Sequence, residues 1–357
     1  MIKAKRTVDY PYHIMQVELT NQCVMKCIMC PRSKYMTRTV GFMDMTLFRS
    51  IMDQYAADNP NCGDSIMWLH HLGESLLHPE FDQAMAYASG LGLNPSLSIN
   101  PILLTADKAQ RLFSAHPHTI LIMLDGCDNE SFAELRGYSG RDGYDKSLEN
   151  SLRALEICAR LSPSTDVQLN IIDIPSKKEM VDRAVEMLSQ QGIKIERKPF
   201  GVWSGKNDDI NNMTKDSDPA LFCPNANPCI RPLTDFAILW DGRVVGCCHD
   251  YNGFVILGDA KQQKLIDIWN GNEMQEFRWD VTSGVGANRL CCKCPCVPHY
   301  PKEIVNEKWF IHLLEVNINL HEEIISLRKE ISEKTSLRYF AGQVKAFFCK
   351  GMLRKIK

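Results

Sequence analysis

Three cysteines near the start of the chain, Cys23, Cys27 and Cys30, fall in the pattern C-x3-C-x2-C. An iron–sulfur cubane is normally held by four thiolates. Three leave one iron without a protein ligand, and an open coordination position is where a metal site does chemistry rather than holding structure. The flanking residues suit such a loop. Residues 14–19 alternate as a short strand does, Thr20-Asn21-Gln22 leads out of it, and Pro31 closes the stretch. Three ligands of a zinc site, or three unrelated thiols, would give the same spacing, so the motif by itself leaves both open.

The remaining cysteines are unevenly spread. Eight lie between 223 and 296: Cys223, Cys229, Cys247, Cys248, Cys291, Cys292, Cys294 and Cys296. Two separated groups imply two sites. Cys62, Cys127 and Cys158 are scattered and read as buried small apolar residues, and Cys349 stands alone near the end. With 15 Cys and no apolar signal core behind the basic start, the chain is expected in the reducing cytoplasm. Clustered cysteines there bind metal or do redox chemistry rather than form a disulfide framework.

The elements that must position these thiols follow from periodicity. Strands are predicted over 14–19, 65–69, 94–99, 119–124, 167–172 and 194–198. Helices are predicted over 46–55, 80–89, 106–113, 147–159 and 178–190, the fourth carrying Ser151, Leu152, Leu155, Ile157 and Cys158 as its apolar stripe. Strands alternating with helices mean a parallel sheet with right-handed crossovers. Six such units predict an α/β fold with a partial (β/α)6 TIM-type barrel. Parallel barrels carry their sites at the strand C-terminal ends, where the three-cysteine loop falls. Residues 203–219 have no period and read as a linker. Beyond it, two β-prone runs over 236–240 and 243–247 flank Asp241-Gly242, a strong hairpin signal, and 265–269 reads as a short helix. The chain thus divides into a barrel over 10–205, a small C-terminal α+β region over 220–300, and a helical, basic tail over 302–357.

Composition narrows the function classes. Of 357 residues, 45% are hydrophobic and 24% charged, as in ordinary soluble proteins, and the net charge of −2 gives no footprint for nucleic acid. No apolar run reaches the ~18 residues of a spanning helix. In the tail, Leu320, Ile324, Leu327 and Ile331 form a short heptad stripe, and nine Lys/Arg against two Glu follow Leu327, leaving about −9 on the preceding residues. Such a basic amphipathic end could touch a membrane surface or a partner protein, or dock as an ordinary terminal helix.

Cys23-x3-Cys27-x2-Cys30 after the first strand of a partial barrel resembles the radical S-adenosylmethionine (SAM) superfamily. Other strand ends carry pieces of its pattern. Gly73-Glu74 after the second strand resembles the family's Gly-Gly-Glu-Pro, with Leu72 and Ser75 departing. Ser98-Ile99-Asn100 stands where Thr-Asn-Gly is usual. Leu124-Asp125-Gly126 and Arg136-Gly137 follow the fourth strand, with Met123 replacing a serine, and Lys198-Pro199-Phe200 and Trp203-Ser204-Gly205 follow the sixth. The resemblance implies that Cys23, Cys27 and Cys30 hold a [4Fe-4S] cluster whose open iron binds SAM. It implies cofactor contacts from Gly73, Glu74, Ser98, Asn100 and Asp125, a small-molecule substrate, and an electron donor such as a flavodoxin or ferredoxin. A lone His78 or Asp125 is more often structural.

The second group resembles the SPASM/Twitch auxiliary-cluster region. Cys229 is followed by twelve residues, Gly242, four residues and Cys247, with Cys291-x2-Cys294 further on. This implies an auxiliary [4Fe-4S] cluster on Cys229, Cys247, Cys291 and Cys294, of the short Twitch form, since the additional cysteine elements of the longer form are missing between 249 and 290. Cys292 with Cys296 is the other possible pair, Cys248 and Cys223 read as spare thiols, and structural zinc is the non-iron alternative. The spacing resembles that of 2-deoxy-scyllo-inosamine dehydrogenase-like enzymes. That implies oxidation of an alcohol carbon on a sugar, cyclitol or glycan-related substrate, with the auxiliary cluster accepting an electron. A radical epimerase, a peptide- or protein-modifying maturase, and a catalytically silent cluster scaffold are the alternatives. The short segment before the first strand argues against a leader-binding maturase.

Overall fold

The computed structural model describes residues 12–59, 63, 65–201, 203, 208–214, 229, 231–282 and 290–291. Six strands and their helices alternate through the first half. They are β1 (His13–Val17), α1 (Met45–Asp58), β2 (Ile66–Trp68), α2 (Phe81–Gly90), β3 (Asn94–Ile99), α3 (Ala106–Ser114), β4 (Thr119–Met123), α4 (Asn129–Arg136), α5 (Gly143–Leu161), β5 (Asp166–Asp173), α6 (Lys178–Gln190) and β6 (Glu196–Pro199). All neighbouring pairs from β1 to β6 are parallel, so the predicted partial barrel is the fold found.

The helices cover one face of this sheet because that face is apolar. Met67, Leu97, Ile99, Ile120, Ile122, Leu169 and Ile171 are buried there with Phe48, Ile51, Phe81, Phe113 and Ala184 from the helices. Burying such side chains contributes about 1.5–3 kcal/mol each. The register puts different residues on the other face. Gln16 aligns with Trp68 and Trp68 with Ser96, Ser98 with Leu121 and Leu121 with Gln168, Met123 with Asn170 and Asn170 with Glu196, and Ile172 with Lys198. Aligned residues of a sheet share a face. The inner face is therefore mixed and polar, as a cavity for a polar ligand requires, and not a packed barrel core.

The hairpin of the C-terminal half forms as predicted, but it is not a separate module. β7 (Asp235–Ile238) pairs parallel with β1, and β8 (Arg243–Val245) and β9 (Ile256–Asp259) follow antiparallel. The result is one nine-stranded sheet ordered β6-β5-β4-β3-β2-β1-β7-β8-β9. Gly242 turns the hairpin with φ +89°, a conformation that favours glycine. The helix Leu265–Trp269 matches expectation, and Asn272–Thr282 is a further helix. Tyr12 and Phe236 stack with ring centroids 5.1 Å apart, and the buried Trp269 ring lies tilted against both, which locks this half onto β1.

One expectation needs correction, and one helix went unforeseen. The stretch 203–219 is not simply a linker: Asp208–Asn211 forms a helical turn, and Asp209 accepts a hydrogen bond from Lys34 Nζ at 2.9 Å. Helix α4 was not anticipated, because its apolar pattern is short. Its signals are local: Asp128 and Ser131 form a capping box, and Gly137 ends it in the left-handed region. The tail over 302–357 lies outside the described residues.

Candidate functional site

The loop after β1 carries Cys23, Cys27 and Cys30, all half-buried free thiols. Its shape is imposed by the segment that ends α4. Lys26 N donates to Arg136 O at 3.0 Å and Ile28 N to Leu135 O at 3.0 Å. Gly137 lies so close that a Cβ there would meet Lys26 O at 2.6 Å, and its φ is +61°. Arg136 then turns its guanidinium inward. Nη1 reaches Cys27 Sγ at 3.6 Å, Nη2 donates to Met123 O at 2.9 Å, and Nη2 lies 2.7 Å from Asp125 Oδ2. A buried cation beside thiols favours their thiolate form, as a cluster ligand must be. Burial pushes Cys23 up to about 11 and Cys30 up to about 12, with the charge of Arg32 opposing the rise at both.

The other predicted cofactor residues sit at neighbouring strand ends, but several are occupied within the protein. Gly73, at φ +86°, is needed for backbone packing: a Cβ would meet Thr20 O at 2.4 Å. Glu74 is buried. Its Oε2 accepts from Asn100 N at 2.7 Å and its Oε1 from Leu76 N at 3.2 Å, so it ties the ends of β2 and β3 together. Burial raises its pKa to about 7. Asp125 Oδ1 accepts from Ile172 N at 2.8 Å, tying β4 to β5, and its other oxygen faces Arg136. Asn100 is different. Its Oδ1 caps Ile102 N at 3.2 Å, while its Nδ2 is buried with no hydrogen-bond partner among the described residues. A buried donor left unpaired costs about 1–3 kcal/mol, and a ligand at this strand end would relieve it. Ser98 N donates to His70 Nδ1 at 3.1 Å. Burial depresses His70 to about 3, so the ring is neutral and its Nε2–H is left to donate on the inner face. His78 is structural, with Nε2 donating to Met43 O at 2.9 Å.

The second thiol group lines a small apolar cavity, bounded by Cys229, Cys247 and Cys291 with Arg231, Pro232, Gly246, His249, Phe277, Val281 and Leu290. β8 runs back along β7, so Cys247 leaves the sheet beside the start of β7. Gly246 is required here, since a Cβ would strike the Phe277 ring at 2.2 Å. Cys248 is absent from the lining, which singles out Cys247 of the adjacent pair. Cys292, Cys294 and Cys296 lie outside the described residues. Cys127 is held at the α4 cap, with Sγ 3.7 Å from Ser131 Oγ. Among the described residues, no three such side chains converge on a single metal ion.

Three residues that carry much of this architecture were missed from the sequence. Glu18, Arg38 and His71 form a buried charge network between the two thiol groups. Their signal was available: a glutamate inside an apolar strand is anomalous unless paired.

Comparison with known proteins agrees with this geometry. Residues 17–194 match the model of the radical SAM superfamily, and residues 229–295 match SPASM, described as an iron–sulfur cluster-binding domain. The S-adenosyl-L-methionine-dependent 2-deoxy-scyllo-inosamine dehydrogenase of Niallia circulans is 22% identical over 290 residues, covering 80% of this chain and 94% of its own. A crystal structure of BtrN in complex with AdoMet and 2-DOIA shares 19% identity with TM-score 0.50, over 80% of this chain and 94% of that one. Streptococcus suis SuiB bound to S-adenosylmethionine shares 13% identity with TM-score 0.57, over 79% and 69%. At these identities the solved structures establish the fold. A [4Fe-4S] cluster that binds SAM and an auxiliary iron–sulfur cluster are the cofactors of these domains, and the thiol-lined loop and cavity fit them. The chain belongs to the radical SAM superfamily and carries a C-terminal SPASM iron–sulfur domain.

Proposed function

We propose that this enzyme oxidises an alcohol carbon of a small polar substrate of the sugar, cyclitol or glycan-related class. When bound, the cofactors supply reductive cleavage of SAM to a 5′-deoxyadenosyl radical, hydrogen abstraction, and an acceptor for the substrate electron. Cys23, Cys27 and Cys30 hold the SAM-binding cluster, and Arg136 faces their thiolates. Cys229, Cys247, Cys291 and Cys294 hold the auxiliary cluster. Asn100 offers its free Nδ2–H to SAM, while Gly73, Glu74 and Asp125 act by fixing the strand ends. Residues 10–205 and 220–300 are the two working parts, in the reducing cytoplasm, with a flavodoxin- or ferredoxin-like donor.

The observation that carries this reading is the polar inner face on the sheet that also holds both thiol groups. Gln16, Ser98, Gln168, Asn170 and Lys198 share that face with Trp68. The neutral His70 adds a donor, its ring edge-on to Trp68 at 5.4 Å. Amides, hydroxyls and an aromatic ring suit a polyol, which offers many hydroxyls and an apolar ring face. The test is to incubate reconstituted enzyme, SAM and reductant with a panel of aminocyclitols and sugars. One class should raise 5′-deoxyadenosine formation and yield a ketone two hydrogens lighter, with no deuterium on carbon in deuterated water. Deuterium at carbon without net oxidation would show epimerisation instead. Stimulation only by peptides would refute the substrate class.

A further inference from the structure

Glu18 stands just beyond β1 and is fully buried. Its carboxylate accepts two hydrogen bonds from Arg38, Nη1 to Oε2 and Nη2 to Oε1, each at 2.7 Å. Oε1 lies 3.4 Å from His71 Nδ1 and accepts from Leu72 N at 3.3 Å, and Oε2 accepts from Trp240 N at 3.2 Å. The partners then reach onward. His71 Nε2 donates to Cys248 O at 2.8 Å, and Arg38 Nε donates to Tyr251 O at 2.8 Å. Both ring nitrogens of His71 face oxygens, Glu18 Oε1 on one side and Cys248 O on the other. Asp250, also fully buried, accepts from Phe254 N and Val255 N and lies within the field of His71.

One carboxylate therefore touches three places at once: the segment just past the Cys23–Cys30 loop, the strand end that begins Leu72-Gly73-Glu74, and the β7–β8 turn. Through His71 it holds the residue next to Cys247. Further bonds run alongside. Thr37 N donates to Asn252 Oδ1 at 2.8 Å, Asn252 Nδ2 to Tyr35 O at 3.1 Å, and Trp203 Nε1 to Met29 O at 3.0 Å, with the Trp203 ring 6.0 Å from His249. Desolvating such charges is costly, and apolar side chains of equal volume are often as stable. What this network supplies is a defined geometry between two loops that no strand pairing links directly.

We propose that Glu18, Arg38 and His71 are positioning residues that fix the segment after Cys247 against the Cys23–Cys30 loop and so set the separation of the two clusters. The inference rests on the assignment of Cys247 to the auxiliary cluster. Its value to catalysis is positional, since a displacement of about 1 Å between reacting parts can cost roughly 100-fold in rate.

The test uses the reconstituted full chain with both clusters reduced, and reads their spin–spin coupling by pulsed electron paramagnetic resonance. The wild type should show one well-defined coupling. His71→Phe keeps the Glu18–Arg38 pair but loses the bond to Cys248 O, and should lose the defined coupling while SAM cleavage to 5′-deoxyadenosine persists. His71→Gln, which can still donate to that carbonyl, should restore it in part. Should His71→Phe fail to load both clusters, Asn252→Ala cuts only the outer bonds and should broaden the coupling. Unchanged coupling in whichever variant loads would overturn the positioning role. A wild type that loads only one cluster would overturn the auxiliary assignment itself, and the positioning role with it.

Discussion

The two thiol groups share one sheet but are built for opposite purposes. The Cys23–Cys30 loop sits where strand ends open, held from outside by Arg136 and Gly137, with an unpaired donor on Asn100 nearby. The Cys229, Cys247 and Cys291 cavity is walled by Phe277, Val281 and Leu290 and closed by a glycine that admits the Phe277 ring. A metal site with an open position can react, and a fully ligated one cannot; which of the two the same thiol chemistry makes depends on what the surrounding backbone leaves free.

The largest effect should come from removing the open site. Changing Cys23, Cys27 and Cys30 together to Ala should abolish 5′-deoxyadenosine formation, measured by chromatography, and leave the auxiliary iron in place. Persistent nucleoside would place the open site elsewhere. Next, Cys247→Ala should lower bound iron from about eight to about four per chain, yet keep SAM cleavage within a few-fold. If cleavage disappears with the iron, the two groups do not work separately.

Glu74 gives a pH-dependent contrast on the open side only. Its folded pKa is raised to about 7, so the stability it contributes is full below the unfolded carboxylate value near 4.5 and is lost as pH rises through about 7. Relative to Glu74→Gln, the wild type should lose up to roughly 3 kcal/mol across that range, seen as a falling difference in Tm. A difference that does not change with pH would contradict the buried, raised carboxyl. The smallest effect is structural. Gly137→Val strains a left-handed position against Lys26 O, costing about 1–3 kcal/mol, and should reduce loading of the loop cluster while sparing the auxiliary one. Equal loss at both sites would show general unfolding instead.

Much of this was legible in the chain. Helix α6 and β3 fell on their predicted bounds because their periods are long and clean. The paired spacing of Cys229 and Cys247 marked the cavity because an Asp-Gly turn leaves little choice of hairpin. What was not legible depended on contacts distant in sequence. The parallel pairing of β7 with β1 joins residues more than two hundred apart, and no local pattern encodes it. Glu74 and Asp125 read as ligand contacts because they stand at strand ends, and nothing in the sequence signals that one oxygen of each also ties neighbouring strands together. Glu18 reads as a strand residue until Arg38 and His71 are brought beside it.

The central claim is one open cluster and one closed cluster on a single sheet. The direct measurement is the electron paramagnetic resonance spectrum of the reduced, fully loaded protein with and without SAM, in the wild type and in Cys247→Ala. The account predicts two overlapping signals in the wild type, of which SAM shifts only the one that survives in Cys247→Ala. A single signal, or SAM shifting the signal that Cys247→Ala removes, would contradict it.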